Sequence, residues 1–307
     1  MKEQFLWVEA YRPSIENIIV TEAVKKKTKT ILKNKNLTNL ILFGGPGTGK
    51  TSFAISICKE LNIEYLFMNG TSCGVESLRS GEIASFASTL SFEADKKCVI
   101  IDEAEKMSSA FVLGFQSFIE KYAHNCTFIL TTNHIDAFSS PIRSRFDDIC
   151  FDIETKDEKK ALFMEFHKSV CDILDKEGIT YNKKTIANFL IGYFPDMRKC
   201  LNVLQGSVVD DEITEGILAK RTTDFDNLYE ILKSKKYKEM IKYVDDHEVD
   251  INMLLTDFHK NLNKFEATQW PIIIELMNDY QYKHTFAVNK TINLLDFLSK
   301  MMTDVKL

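Results

Sequence analysis

The run Gly44-Gly45-Pro46-Gly47-Thr48-Gly49-Lys50-Thr51 constrains this chain more than any other feature. It directly follows the apolar run Leu40–Phe43, and a helical stretch is expected after it, over Thr51–Leu61. Glycines at this spacing let the backbone curl until successive N–H groups point at one anion. The helix behind them adds the positive end of its dipole. A strand, loop and helix in that order predict a parallel sheet with helices packed on it. In the loop, Gly45, Pro46, Gly47, Thr48 and Gly49 would cradle phosphate, with Ser52 continuing the cradle. Lys50 would reach the outer phosphates, and the Thr51 hydroxyl would serve as a ligand to Mg2+.

Other short apolar runs fit the remaining strands of a sheet covered on both faces: Tyr65–Asn69, Cys98–Ile101, Thr127–Thr131 and Ile149–Ile153. Helices are expected between them, over Val24–Leu32, Val75–Leu90 and Ala110–Tyr122. Past Ile153 the strand pattern stops. Helical periods then cover Lys156–Leu174 (closed by Gly178), Lys184–Tyr193 and Met197–Val208, and the pattern stays helical to Leu307. A chain of 307 residues exceeds one ordinary compact domain. We therefore expect an α/β nucleotide-binding domain over 1–153, a helical domain over 154–222 and an all-helical domain over 223–307.

Two carboxylates end the Cys98–Ile101 run. A buried strand would deliver Asp102 and Glu103 to the sheet edge where the phosphate loop lies. Asp102 would hold the metal, directly or through water. Glu103 would activate the attacking water as general base, which favours hydrolysis of ATP over transfer to another acceptor. Asn133, at the tip of the next strand, could touch the γ-phosphate or the attacking water, or it could simply form a turn. Arg145, in Pro141-Ile142-Arg143-Ser144-Arg145-Phe146, and Arg198, at the head of a later helix, could neutralise charge on the γ-phosphate. A solvated surface arginine is the other reading of each.

Composition excludes little beyond this. No run approaches the roughly eighteen apolar residues of a membrane span, and Met1–Trp7 resembles no signal peptide. The seven cysteines show no CxxC spacing, which speaks against zinc and for reduced thiols in a cytoplasmic setting. A net charge of −5 does not suggest a protein that coats nucleic acid, although a ring can concentrate positive charge on its inner face. Lys25, Lys26, Lys27, Lys29 and Lys33 read as the solvated side of a helix whose other face carries Val24, Thr28, Ile31 and Leu32.

In this order the motifs resemble the AAA+ superfamily of P-loop NTPases, and within it the clamp-loader ATPases. The likeness is greatest to the large ATPase subunits of T-even-like phage sliding-clamp loaders, relatives of replication factor C small subunits. It runs from about Tyr11 to Gln205. Tyr11-Arg12-Pro13 resembles the motif near the adenine. Gly44–Thr51 and Asp102-Glu103 match Walker A and the DExx element, Asn133 matches sensor 1, and Arg198 matches sensor 2 on a helical lid. Ser144-Arg145-Phe146 resembles the Ser-Arg-Cys motif, with Phe146 in place of Cys. The resemblance implies that several ATP-bound copies and a divergent subunit form a ring, held by a C-terminal collar over 223–307. That ring opens a sliding clamp and encloses primer–template DNA, and Arg145 acts on a neighbour's ATP.

It further implies that Arg79 and Ser80 donate to DNA phosphates and that Phe92 inserts into the clamp; a plain surface charge is the other reading of Arg79, and loop packing that of Phe92. One departure stands out. Relatives carry Leu-Arg-Arg or Leu-Arg-Ser where this chain has Phe115-Gln116-Ser117, which implies different or weaker coupling of DNA binding to ATPase activation. Two competing readings use the same nucleotide site. One is another AAA+ DNA machine, such as a helicase loader or a branch-migration motor. The other is a ring subunit that binds nucleotide without hydrolysing it.

Overall fold

The computed structural model describes residues 6–89, 96–214, 218, 225–247, 249 and 251–305. The chain divides into two compact units, Met1–Ile213 and Thr214–Leu307.

The first unit is built on five parallel strands, β1 (Leu40–Phe43), β2 (Tyr65–Asn69), β3 (Lys97–Asp102), β4 (Cys126–Thr132) and β5 (Asp147–Cys150), in the order β2-β3-β4-β1-β5. Side chains alternate across the sheet. Ile41, Val99, Ile101, Phe128 and Leu130 enter one core with Phe111, Phe115 and Phe118. Leu40, Leu42, Cys98, Ile100 and Ile129 enter the other with Phe53 and Ile57. Because both faces are covered, β3 and β4 read as continuous apolar runs rather than alternating ones.

The parallel register brings the functional ends together. Phe43 pairs with Thr132, Ile101 with Leu130, and Asn69 with Asp102, so the carboxyl ends of β1, β2, β3 and β4 lie along one edge. The helices of this unit are α1 (Trp7–Ala10), α2 (Glu22–Asn34), α3 (Lys50–Glu60), α4 (Val75–Arg79), α5 (Glu82–Ser88), α6 (Ser109–Tyr122), α7 (Ser140–Arg143), α8 (Lys156–Glu177), α9 (Lys183–Tyr193) and α10 (Met197–Gln205). The caps follow residue chemistry. Thr155 and Asn182 accept N–H bonds at the starts of α8 and α9, and Gly178 takes the left-handed conformation that closes α8.

Four local expectations need correction. The single helix expected over Val75–Leu90 is two, α4 and α5, broken at Ser80-Gly81. A Cβ on Gly81 would stand 2.7 Å from the Ser77 Cα, so a close backbone crossing occupies that point. The fifth strand is Asp147–Cys150 rather than Ile149–Ile153. At the sheet edge its polar start stays partly exposed and carries no apolar signal. The helix expected over Met197–Val208 ends at Gln205. Strands also do not cease at Ile153, since Thr180–Tyr181 pairs in parallel with Glu212–Ile213.

The second unit is helical in its described residues: Phe225–Lys233, Tyr237–His247, Ile251–Lys260, Trp270–Phe286 and Lys290–Asp304. Its own core centres on Phe258, in ring contact with Tyr229, Phe265 and Phe297. Tyr282, Phe286, Val288 and Ile292 lie exposed around the turn between the last two helices. Among the described residues, no helix is long and apolar enough to cross a membrane.

Candidate functional site

A cleft over the carboxyl edge of the sheet gathers most of the residues singled out above. Its lining includes Tyr11, Arg12, Pro46–Ser52, Asp102, Glu103, Asn133 and Arg198. The loop after β1 takes its curled form through Gly44, Gly47 and Gly49, at φ +137°, +70° and +96°. At Gly47 a side chain would also collide with the residue that caps α10. A Cβ there would stand 1.8 Å from Asp196 Oδ1, and the Met197 N–H donates to the Gly47 carbonyl at 3.2 Å. The Gly45 N–H donates to Asp152 Oδ1 at 2.7 Å.

Lys50 is 8% exposed, and its ammonium donates to the carbonyls of Gly44 and Gly45, both at 2.7 Å, and to Asn133 Oδ1 at 3.0 Å. Burial pushes its pKa down. The carboxylates of Asp152, Asp102 and Glu105 pull it back up, while Arg198 adds to the lowering. A buried cation resting on neutral acceptors is poised for an anion, and incoming phosphates would relieve the cost of its burial.

The Thr51 hydroxyl donates to Asp102 Oδ1 at 2.7 Å, and the Thr131 hydroxyl donates to the same oxygen at 2.5 Å. Among the described residues no group of three or more His, Cys, Asp or Glu side chains could hold a metal alone. A hydroxyl and one carboxylate suit Mg2+ that arrives with phosphates, which complete its oxygen shell.

Glu103 takes a left-handed conformation, φ +52° and ψ +47°, that turns its side chain out of the strand line. Its N–H donates to Thr131 Oγ1 at 3.2 Å. Its Oε2 accepts from Lys106 Nζ at 2.8 Å and from Asn69 Nδ2 at 3.2 Å. The hydrogen bond from Lys106, then that from Asn69, lowers its pKa, so the group stays a carboxylate. A carboxylate held beside the cleft can accept a proton from water.

The outer wall is apolar, with Val8, Ile18, Ile19, Ile173 and Leu201 forming a slot of the kind that receives a flat base. Tyr11 donates to Glu177 Oε1 at 2.5 Å, which together with burial raises its pKa to about 12. Arg12 donates through Nη2 to Glu9 at 2.6 Å, and its Nε is buried without a partner among the described residues, an orphan donor on the cleft wall. The slot, the orphan donor and the loop together fit a nucleotide.

Three expected residues, Arg145, Arg79 and Ser80, lie elsewhere. Arg145 is not in this chain's own cleft; it pairs with Glu120 at 2.5 Å. Arg79 and Ser80 are exposed at the α4–α5 break. Phe92 falls outside the described residues. Sequence reasoning missed Asn69, Thr131, Lys106, Asp152 and Asp196. Asn69 and Thr131 carried a usable signal, a polar residue at the carboxyl end of an apolar strand, the same one that marked Asn133.

Residues 40–152 match the AAA family, ATPases associated with various cellular activities. The sliding-clamp-loader large subunit of Enterobacteria phage T4 is 29% identical over 304 residues, covering 95% of this chain and 94% of the relative. The replication factor C small subunit 2 of Pyrobaculum islandicum is 31% identical over 291 residues, covering 88% of this chain and 87% of the relative. Among solved structures, the Thermotoga maritima RuvB Holliday junction branch migration motor aligns with a TM-score of 0.53 at 23% identity. That alignment covers 81% of this chain and 85% of the other, and it speaks to the fold. A phosphate loop, a strand-end carboxylate pair and an arginine at the head of α10 around one cleft, with near full-length likeness to these subunits, establish that the chain belongs to the AAA+ clamp-loader ATPase family.

Proposed function

We propose that this chain is a subunit of a ring that uses ATP·Mg2+ to open a sliding clamp, place it on primer–template DNA and release it on hydrolysis. The observation that carries the reading is the cleft itself: Lys50, Thr51, Asp102, Glu103, Asn133 and Arg198 converge there. In this reading Lys50, Asn133 and Arg198 hold the γ-phosphate and Thr51 and Asp102 hold Mg2+. Glu103 takes the proton from the attacking water. Arg145, outside its own cleft and partly exposed, is supplied to the ATP of an adjacent copy. The ring contains several copies of this chain and a divergent subunit, and it works in the cytoplasm, that of the host cell for a phage protein. Residues 154–222 act as the lid over the nucleotide and 223–307 as the collar. Arg79 and Ser80, exposed at a helix break, donate to DNA phosphates, which gives affinity without sequence preference. Phe92 enters the clamp.

The deciding experiment measures ATP turnover by the purified assembly with clamp, with primer–template DNA, and with both. Strong stimulation by the two together is the expected result. Stimulation by DNA that ignores the clamp would instead favour a helicase-loading or branch-migration role.

A further inference from the structure

Arg145 lies just past α7, and its guanidinium is gripped from two directions. Nε and Nη2 both donate to Glu120 Oε1, at 3.1 and 2.5 Å, and Nη1 donates to the Pro141 carbonyl. Glu120 stands in the last turn of α6, which Phe111, Phe115, Phe118 and Ile119 bury against the sheet. The grip therefore rests on a fixed element rather than a loop. The two side chains are 30% and 63% exposed, and an exposed pair of this kind adds little to stability. Its consequence is geometric. A guanidinium has five N–H donors in a planar fork; three are engaged here, which leaves two for an incoming anion.

We propose that Glu120 is the positioning residue for Arg145: it holds the guanidinium by its Nε–Nη2 edge, so that the arginine meets a neighbouring copy's ATP already oriented. A loose arginine would lose its rotamer freedom on reaching the phosphate, and Glu120 removes most of that loss before the subunits meet. Glu120 does not line this chain's own cleft and acts through Arg145. The inference rests on the reading of Arg145 as the residue supplied to the neighbour.

The test uses the assembled ring with clamp and primer–template DNA. It compares kcat and KM for ATP in wild type, Glu120→Gln, Glu120→Asp, Arg145→Lys and the Glu120→Gln/Arg145→Lys double variant. Glu120→Gln keeps the shape of the side chain and is expected to lower kcat roughly tenfold with KM unchanged. Glu120→Asp is expected to recover most of that loss. In the Arg145→Lys background Glu120→Gln is expected to add nothing, because an ammonium offers no edge to grip. A kcat within twofold of wild type for Glu120→Gln overturns the proposal, as does an equal loss in both backgrounds. If Arg145→Lys itself turns over like wild type, the role of Arg145 falls first and the positioning role falls with it.

Discussion

In the proposed reading hydrolysis turns on Glu103, whose pKa its neighbours lower. Glu103→Gln removes the proton acceptor and keeps the shape, so turnover should fall by about 100-fold or more. ATP affinity in a fluorescent-nucleotide titration should stay near that of the wild type. The hydrogen bond from Lys106 is the main cause of the lowered Glu103 pKa. Lys106→Met should therefore let that pKa rise, and the acid limb of the turnover–pH profile should move to higher pH. The same linkage acts on folding. A carboxylate whose folded pKa is depressed stabilises the fold above its unfolded pKa, and that stability is lost as pH falls through the folded value. With the Lys106 and Glu103 side chains 49% and 42% exposed, the stability effect should be small and the catalytic one visible. An unchanged acid limb in the Lys106 variant would show that another group sets it.

At the scale of elements, the carboxyl ends of β2 and β3 form one rigid ledge. Gly70 follows β2, and a Cβ on it would stand 2.3 Å from the Glu103 carbonyl oxygen. Gly70→Ala should therefore cost about 1–3 kcal/mol in urea unfolding, the usual range for overpacking. It should also lower turnover, because the strain falls on the backbone of Glu103. Loss of stability with full activity would place the relaxation elsewhere. How legible each element was depended on its surroundings. β1 and β2 have the expected bounds because they lie between clear turn signals. β5 starts two residues and ends three residues before its expected bounds because Asp147 and Asp148 pair at an edge, where backbone bonds rather than apolar burial define the strand. The α4–α5 break leaves little trace in the sequence, because Gly81 alone marks the close approach to Ser77 and the apolar period Ile83, Phe86, Ala87 begins only after it.

For the whole molecule, the two compact units carry separate cores. If the C-terminal unit is the collar, its exposed apolar side chains belong to subunit contacts, since such patches commonly mark interaction sites. Phe286→Ser with Ile292→Ser should leave the chain folded by circular dichroism and weaken ring assembly in sedimentation. An assembly of wild-type size would remove that face from the interface. If Arg145 is supplied to a neighbour's ATP as proposed, turnover should also require assembly, and the rate of the lone chain should rise steeply with ring formation.

The sequence by itself determined the strand–loop–helix unit and the carboxylate pair, while the meeting of Asn133 with Lys50 came from the fold. Each of the first two is a short contiguous run whose chemistry needs neighbouring backbone positions, and such runs survive in one dimension. Only the tertiary structure decided which distant groups meet. Asn69 reaches Glu103, Glu120 grips Arg145, Asp196 covers Gly47 and Tyr11 bonds Glu177. Those pairs depend on strand register and helix packing, which bring together side chains with no local pattern in common.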